Sequence, residues 1–416
     1  MWPSELGDIH SYWYGPGRVD ITQFLYCCTV EAVSQRTERR LSSLYEDYLP
    51  MPFEFIQVIS LAVSVAGAPQ YSAELVFPLH EQHNHAPGIV ELPSGELLVS
   101  WYRGSGERTA DDVAVFGARK KAADTKWSDA FLMADSPGFP DCNTAMMIDR
   151  KNRLWLFWPT IIANSWELCL TNYCVSEDYA GPGTPKWNPN GLILLKPDDF
   201  SSKAERELKE LLAKRDTVVS DDWRDELPFD RTKIESKLFQ RIGWQPRCKP
   251  TVLPSGRILL PLYSDTFSLS IMAISDDDGK TWHLSAPLLG FGAIQPTVLR
   301  RENGELVAYL RENGILERIR TSISKDDGLT WGPVTATEMP NPGSGLNGAR
   351  LANGHWRLVY NDTTKDRNSL LVSISDDEGT LGNGSGISSN NRKVPSTIRA
   401  SFKGVMVRSM SFTATS

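Results

Sequence analysis

Five stretches of this chain read alike: "GIVELPSGELLVSWY" (88–102), "AMMIDRKNRLWLFWP" (145–159), "PTVLPSGRILLPLYSD" (250–265), "PTVLRRENGELVAYLR" (296–311) and "ARLANGHWRLVYND" (349–362). Each is an apolar strand, a polar tight turn and a second apolar strand, the pattern of a β-hairpin. The turn glycines Gly256, Gly304 and Gly354 stand 48 and 50 residues apart, a spacing that suits one four-stranded propeller blade per repeat. A single blade cannot bury its own apolar faces, so repeats of this length stack, and the stacking sets the architecture. A chain of 416 residues with 41% hydrophobic content can bury the core of one large closed β domain.

A second element follows the hairpins at a matching offset. "SDDDGKTW" (275–282) and "SKDDGLTW" (324–331) share S-x-D-x-G-x-T-W, with Asp277 and Asp326 separated by 49 residues; "SDDEGTLG" (375–382) begins the same box at Asp377, 51 residues on, without its Thr and Trp. Ser and Asp side chains can bond backbone N–H groups of a tight turn, Gly admits a left-handed conformation, and Trp packs between sheets. These acidic runs are therefore structural staples. A calcium loop of the EF-hand type would need further oxygen ligands and a Glu at its twelfth position.

Three regions leave the pattern. Residues 1–70 form a non-repeat N-terminal extension, residues 71–382 the propeller, and residues 383–416 an irregular C-terminal tail rich in Ser, Gly and Asn. Within the propeller, residues at about 200–243 place Leu and Ile at helical spacing among paired charges, so a helical insertion interrupts the sheets. The last blade reads as incomplete. A net charge of -7 gives no support for a nucleic-acid partner, and no apolar run is long enough to span a membrane. The six cysteines contain no paired C-x-x-C, so no zinc or disulfide framework is indicated. The apolar stretch 51–68 is signal-like but internal and lacks a basic leader, leaving the compartment unassigned.

The boxes at Asp277 and Asp326, together with "GIVELPSGELLVSW…DDVAVFGARK…W", resemble the sialidase superfamily of six-bladed β-propellers over roughly residues 74–380. More narrowly, "HNHAPGIVELPSGELLVSWYRGSGERTADDVA", "WQPRCKPTVLPSGRILLPLYSD" and "NPGSGLNGARLANGHWRLVYND" are similar to the bacterial and fungal group of predicted neuraminidases. The resemblance implies an all-β, sialidase-like six-bladed propeller. It also implies an exo-glycosidase that removes a terminal sugar from glycans, without a cofactor. Sialidases hold the substrate carboxylate with three arginines, the first in an Arg-Ile-Pro motif; this chain has His85-Ala86-Pro87 there. A neutral imidazole cannot supply the bidentate fork of a guanidinium.

His85 instead offers proton transfer near neutral pH. In architecture this alternative resembles the propeller rhamnosidases and rhamnose-glucuronate lyases, which use a lone catalytic histidine. Asp112 precedes the strand "VAVFGARK", where the family carries its acid/base, and Glu107 offers a second carboxylate. The catalytic candidates are thus His85, Asp112 and Glu107. Candidates for binding the sugar are His83, Arg103, Asp141, Arg247, Tyr263, Asp265 and Arg311, with Arg247 and Arg311 the remaining carboxylate clamp. The expected partner is a glycan or oligosaccharide. The His83/His85 pair with Glu107 or Asp112 matches no defined metal signature, so no metal is assigned. Three functions stay open: hydrolysis of a terminal sugar, His-dependent cleavage of the lyase or rhamnosidase kind, and glycan binding without turnover.

Overall fold

The computed structural model describes residues 70–189, 191–197, 200–213, 231–314, 316–379, 398–401 and 409–413. The signal-like stretch and nearly all of the N-terminal extension lie outside these residues. The first sheet joins the two ends of the described chain: β1 (Gln70–Glu74) pairs antiparallel with a strand at Ser409–Thr413.

Five antiparallel blades follow. The first is β2 (His83–Glu91), β3 (Leu97–Gly104), β4 (Ala114–Lys120) and β5 (Phe131–Ala134); the second is β6 (Ala145–Ile148), β7 (Leu154–Ile161), β8 (Cys169–Ser176) and β9 (Gly191–Leu192). In the third, β10 (Trp244–Pro246) and β11 (Thr251–Val252) both pair β12 (Ile258–Ser264), followed by β13 (Leu269–Ser275) and β14 (His283–Leu284). The fourth is β15 (Ala293–Arg300), β16 (Leu306–Glu312), β17 (Arg318–Ser324) and β18 (Thr335–Pro340). The fifth is β19 (Asn347–Arg350), β20 (Trp356–Tyr360), β21 (Ser369–Ser375) and β22 (Ile398–Ser401), and the strand at Ser409–Thr413 is β23.

Two expectations are corrected. The described residues form five blades, not six. The five hairpins visible in the sequence are the inner pairs of these five sheets, and the sixth blade came from the family resemblance alone. The last blade is complete, because β22 supplies its fourth strand from the segment expected to be an irregular tail. In sequence 22 residues, 376–397, separate that strand from the end of β21, so the short strand-turn-strand pattern could not reveal it.

The core lies between blades, since each sheet is apolar on both faces. Trp158, Leu98 and Met146 fill the first interface, Trp155, Leu260 and Phe267 the second, Met272, Val298 and Leu310 the third, and Tyr309, Trp356 and Leu371 the fourth. Trp101, Trp155, Trp158 and Trp356 are all essentially inaccessible. Each such ring buries about 150–250 Å², roughly 4–6 kcal/mol of gross transfer energy before entropy is charged.

The Asp boxes close the second, third and fourth interfaces. Asp277 accepts from the Thr281 N–H (2.9 Å) and hydroxyl (2.6 Å), while the Ser275 hydroxyl accepts from the Gly279 N–H at 2.8 Å. Ser324, Asp326, Gly328 and Thr330 repeat this arrangement. In the fifth blade Ser375 and Asp377 retain the serine half of it. The glycines are needed for space as well as for their left-handed backbone. A Cβ on Gly279 would lie 2.2 Å from the Trp155 ring of the preceding blade, and one on Gly379 2.4 Å from the Tyr309 hydroxyl.

The helical insertion consists of α1 (Phe200–Ala213), α2 (Arg231–Glu235) and α3 (Lys237–Arg241). Phe200 and Ala204, one turn apart on α1, are buried with Ile234, Trp244 and Phe267. These contacts set the insertion beside the start of β10 and the end of β12.

Candidate functional site

Register pairs locate the mouth of the propeller. The last pairs before the hairpin turns are Glu91 with Leu97, Ile148 with Leu154, Val252 with Ile258, Arg300 with Leu306 and Arg350 with Trp356. Five residues upstream of each stand Ala86, Asn143, Arg247, Gln295 and Gly345, one per blade. Five residues downstream on the partner strands stand Tyr102, Pro159, Tyr263, Arg311 and Asn361. Blade stacking brings these ten positions to one end of the molecule.

The inner strands kink there. Ala86, Asn143 and Gln295 have φ of 50°, 38° and 53°, and the ladder slips between His85 and Gly88 and between Ile294 and Thr297. Left-handed backbone costs an L-residue about 1–2 kcal/mol, and such strain persists where the surroundings enforce it, often at functional sites. Here the kinks place backbone carbonyls within reach of other blades. Thr144 donates to the Ala86 carbonyl at 3.2 Å, Arg247 to Pro87 at 3.4 Å, and the Cys248 thiol to Gln295 at 3.4 Å.

Around the mouth lie two connected groups. In the first, His83 and His85 are two residues apart on β2 and so share a face. Their rings stack at 5.4 Å, and each Nε2 approaches the same Oε1 of Glu107, at 3.4 and 3.8 Å. The Tyr102 hydroxyl donates to that oxygen at 2.6 Å, and Arg108 lies 3.6 Å from Oε2 while covering the Trp166 ring. Burial works against the Glu107 charge, but the imidazoles and the Tyr102 hydroxyl outweigh it and hold the carboxyl down at about 2. Burial pushes the Tyr102 hydroxyl well above its ordinary range. The ligating atoms of His83, His85 and Glu107 all lie within 4.8 Å of one another.

In the second group, Asn143 donates to Gln245 (2.8 Å) and to the Tyr263 hydroxyl (3.1 Å), and Gln245 donates to Asp265 at 2.9 Å. Arg311 reaches the Gln295 side-chain oxygen at 3.4 Å. Burial raises the Asp265 carboxyl to about 6; Arg311 and Arg108 pull it down and Glu167 pushes it up. Burial and the Asp265 charge keep Tyr263 neutral, against the pull of Arg311 and Arg247. Arg108 acts on both carboxylates and Arg247 on both tyrosines, so the groups form one electrostatic unit.

The sequence candidates divide accordingly. His83, His85, Glu107, Arg247, Tyr263, Asp265 and Arg311 are brought together. Arg103 is not: strand alternation turns it to the opposite face of blade 1, where it binds Asn84 at 2.7 Å among Phe77, Trp101 and Phe116. Asp141 is inaccessible, with its oxygens accepting from the Ser136 N–H (2.6 Å) and the Thr160 hydroxyl (2.5 Å), so it anchors the chain entering Asn143. Asp112 caps a turn. It accepts from the Ser105 N–H at 3.0 Å and hydroxyl at 2.8 Å, and these bonds hold its carboxyl below the ordinary range. A carboxyl so held keeps no proton to donate at neutral pH.

Sequence reasoning left Tyr102, Gln245 and Gln295 unassigned. The signal for Tyr102 was available: His85 and Tyr102 are a register pair, and so flank one face. Gln295 precedes Pro296 as Ala86 precedes Pro87, a match that aligning the repeats from their turns brings out.

Residues 215–381 match the BNR repeat-like domain family. Among solved structures, the chain is similar to a protein of unknown function from Dyadobacter fermentans (14% identity, TM-score 0.54, covering 77% of this chain and 97% of that one). It is also similar to the NanB sialidase of Streptococcus pneumoniae (12%, TM-score 0.52, covering 73% and 62%). The fold is shared with the sialidase structures, and residues 215–381 carry the BNR-like repeat. The Trypanosoma rangeli sialidase is a further neighbour of this propeller (14%, TM-score 0.51, covering 74% and 52%), so the chain spans under two thirds of either sialidase. No curated protein sequence matches this chain.

Proposed function

We propose that this protein is a glycoside hydrolase that removes a carboxylate-bearing terminal sugar from glycans. The observation that carries the reading is Asp265. It stands two residues from Tyr263 and accepts from Gln245 at 2.9 Å, and burial raises its carboxyl to about 6 in the field of Arg311. Arg247 and Arg311 hold the sugar carboxylate, as guanidinium groups do best. Asp265 protonates the glycosidic oxygen as the bond breaks, a step that needs a carboxyl still partly protonated in the working range. His83, His85 and the hydroxyls of Tyr102 and Tyr263 orient the remaining sugar hydroxyls. A sialic acid and a uronic acid are the two sugar classes that bring such a carboxylate to the arginines.

A second reading rests on His85, whose ring lies 5.5 Å from Tyr102 in the same knot. Such a pair could remove a proton next to a uronate carboxylate and eliminate the leaving sugar. Incubation with sialosides and with rhamnose-glucuronate oligosaccharides separates the two. Hydrolysis releases saturated sugars, whereas elimination yields a product absorbing in the ultraviolet. Tight binding of both classes with no product would leave a glycan-binding propeller and refute both catalytic readings.

A further inference from the structure

We infer that His83, His85 and Glu107 form a binding site for a divalent metal ion of the zinc type. The inference shares its location with the proposed catalytic cleft and does not depend on which bond is cleaved there. Three observations carry it. First, ligands held tetrahedrally at about 2.0–2.2 Å from a zinc ion stand about 3.4 Å from one another, and the two imidazole Nε2 atoms stand 3.4 and 3.8 Å from the same Glu107 oxygen. Second, the Nε2 of His83 is shielded from solvent and faces the Glu107 Oε1 at 3.4 Å. A shielded imidazole nitrogen and a carboxylate oxygen at that spacing are two ligand atoms ready for one cation.

Third, an outer layer is already in place. Metal-binding carboxylates are oriented by hydrogen bonds from surrounding groups. Here Tyr102 donates to Oε1 at 2.6 Å and Arg108 faces Oε2 at 3.6 Å. An oxygen that accepts from Tyr102 keeps a second lone pair for a cation. Backbone geometry brings the imidazoles together: the two alternate positions of β2 put both rings on one face, and the ladder slip after His85 follows directly. Two histidines and one carboxylate with a fourth position left over is the ligand set of catalytic rather than structural zinc. An ion there would polarise a sugar oxygen or a bound water beside Arg247.

The test is zinc binding to the full chain, read without reference to turnover. After equilibration with micromolar zinc and dialysis, elemental analysis should find close to one zinc per chain. X-ray absorption of that sample should show two imidazoles and at least one carboxylate. His83→Ala, His85→Ala and Glu107→Gln should each weaken binding by 100-fold or more. Tyr102→Phe, which keeps all three ligands and the ring, should weaken it by about 10- to 100-fold. Less than a tenth of an equivalent in the wild type, or a ligand set without two imidazoles, overturns the inference. Turnover that persists in zinc-free protein removes a catalytic role for the ion without touching the hydrolase reading. Stoichiometric zinc with no turnover on any sugar refutes that reading and leaves the metal site standing.

Discussion

Asp265→Asn tests the chemistry and the electrostatics together. A carboxyl that titrates near 6 rather than at its ordinary 3.8 is about nine-tenths protonated at pH 5 and about one-tenth protonated at pH 7, a tenfold change per pH unit well above its pKa. An acid-catalysed cleavage by the wild type should therefore lose about tenfold in kcat/KM between pH 5 and pH 7, and about tenfold more by pH 8. Asparagine cannot donate the proton, so the variant should fall by about 10²–10⁴ on natural glycosides and lose this pH dependence. On aryl glycosides whose leaving group departs unprotonated, the deficit should be much smaller.

Stability should move the other way. The folded-state pKa lies above the unfolded one, so the stabilisation from this carboxyl is fully present below about 3.8 and is lost as pH rises through about 6. The groups that face it set the size: Arg311 and Arg108 favour its charge, Glu167 opposes it, and Gln245 donates to it. At about 1.4 kcal/mol per pKa unit the loss is at most about 3 kcal/mol. The variant should thus gain stability relative to wild type by about 1–3 kcal/mol between pH 4 and pH 7, measured by denaturant midpoints. A wild-type rate that is flat from pH 5 to 8, or a stability difference that does not change with pH, would refute the reasoning.

Two further perturbations follow from the same contacts. Gly256 and Gly279 both have left-handed backbone, φ 94° and 84°, but a Cβ meets nothing within 4 Å at Gly256 and the buried Trp155 ring at Gly279. Gly256→Ala should cost about 1–2 kcal/mol and Gly279→Ala about 1–3 kcal/mol more; equal denaturant midpoints would mean that the box does not seal the blade interface. Arg311→Ala should raise KM for carboxylate-bearing sugars by at least tenfold while leaving neutral glycosides unchanged, and equal losses on both would reject the carboxylate clamp.

Of the site, the sequence reached those residues whose type is telling at a repeated place. His83 and His85 were conspicuous at a strand entrance, and Arg247, Tyr263, Asp265 and Arg311 stood at hairpin edges. Arg103 and Asp112 were misjudged for different reasons. Arg103 lies on a strand whose alternation sends it away from the cleft, and its neighbour Tyr102 takes the inward place. Asp112 and Asp111 are adjacent in the chain, and only the turn geometry tells that Asp112 is spent on Ser105 while Asp111 accepts from Asn164 at 2.9 Å.

Taken alone, the sequence determined the repeat, the all-β class, the inner hairpin of each blade, the serine and glycine turns of the boxes and the place of the helical insertion. These are local properties: apolar alternation, turn residues and helical spacing act over fewer than about fifteen residues. The number of blades, the fourth strand of the last one and the pairing of β1 with β23 depended on contacts between distant segments. So did the site's electrostatics. The low carboxyl of Glu107 and the high one of Asp265 follow from which charges and hydroxyls the stacked blades bring within a few ångströms of a buried group. The linear order of residues does not contain that proximity.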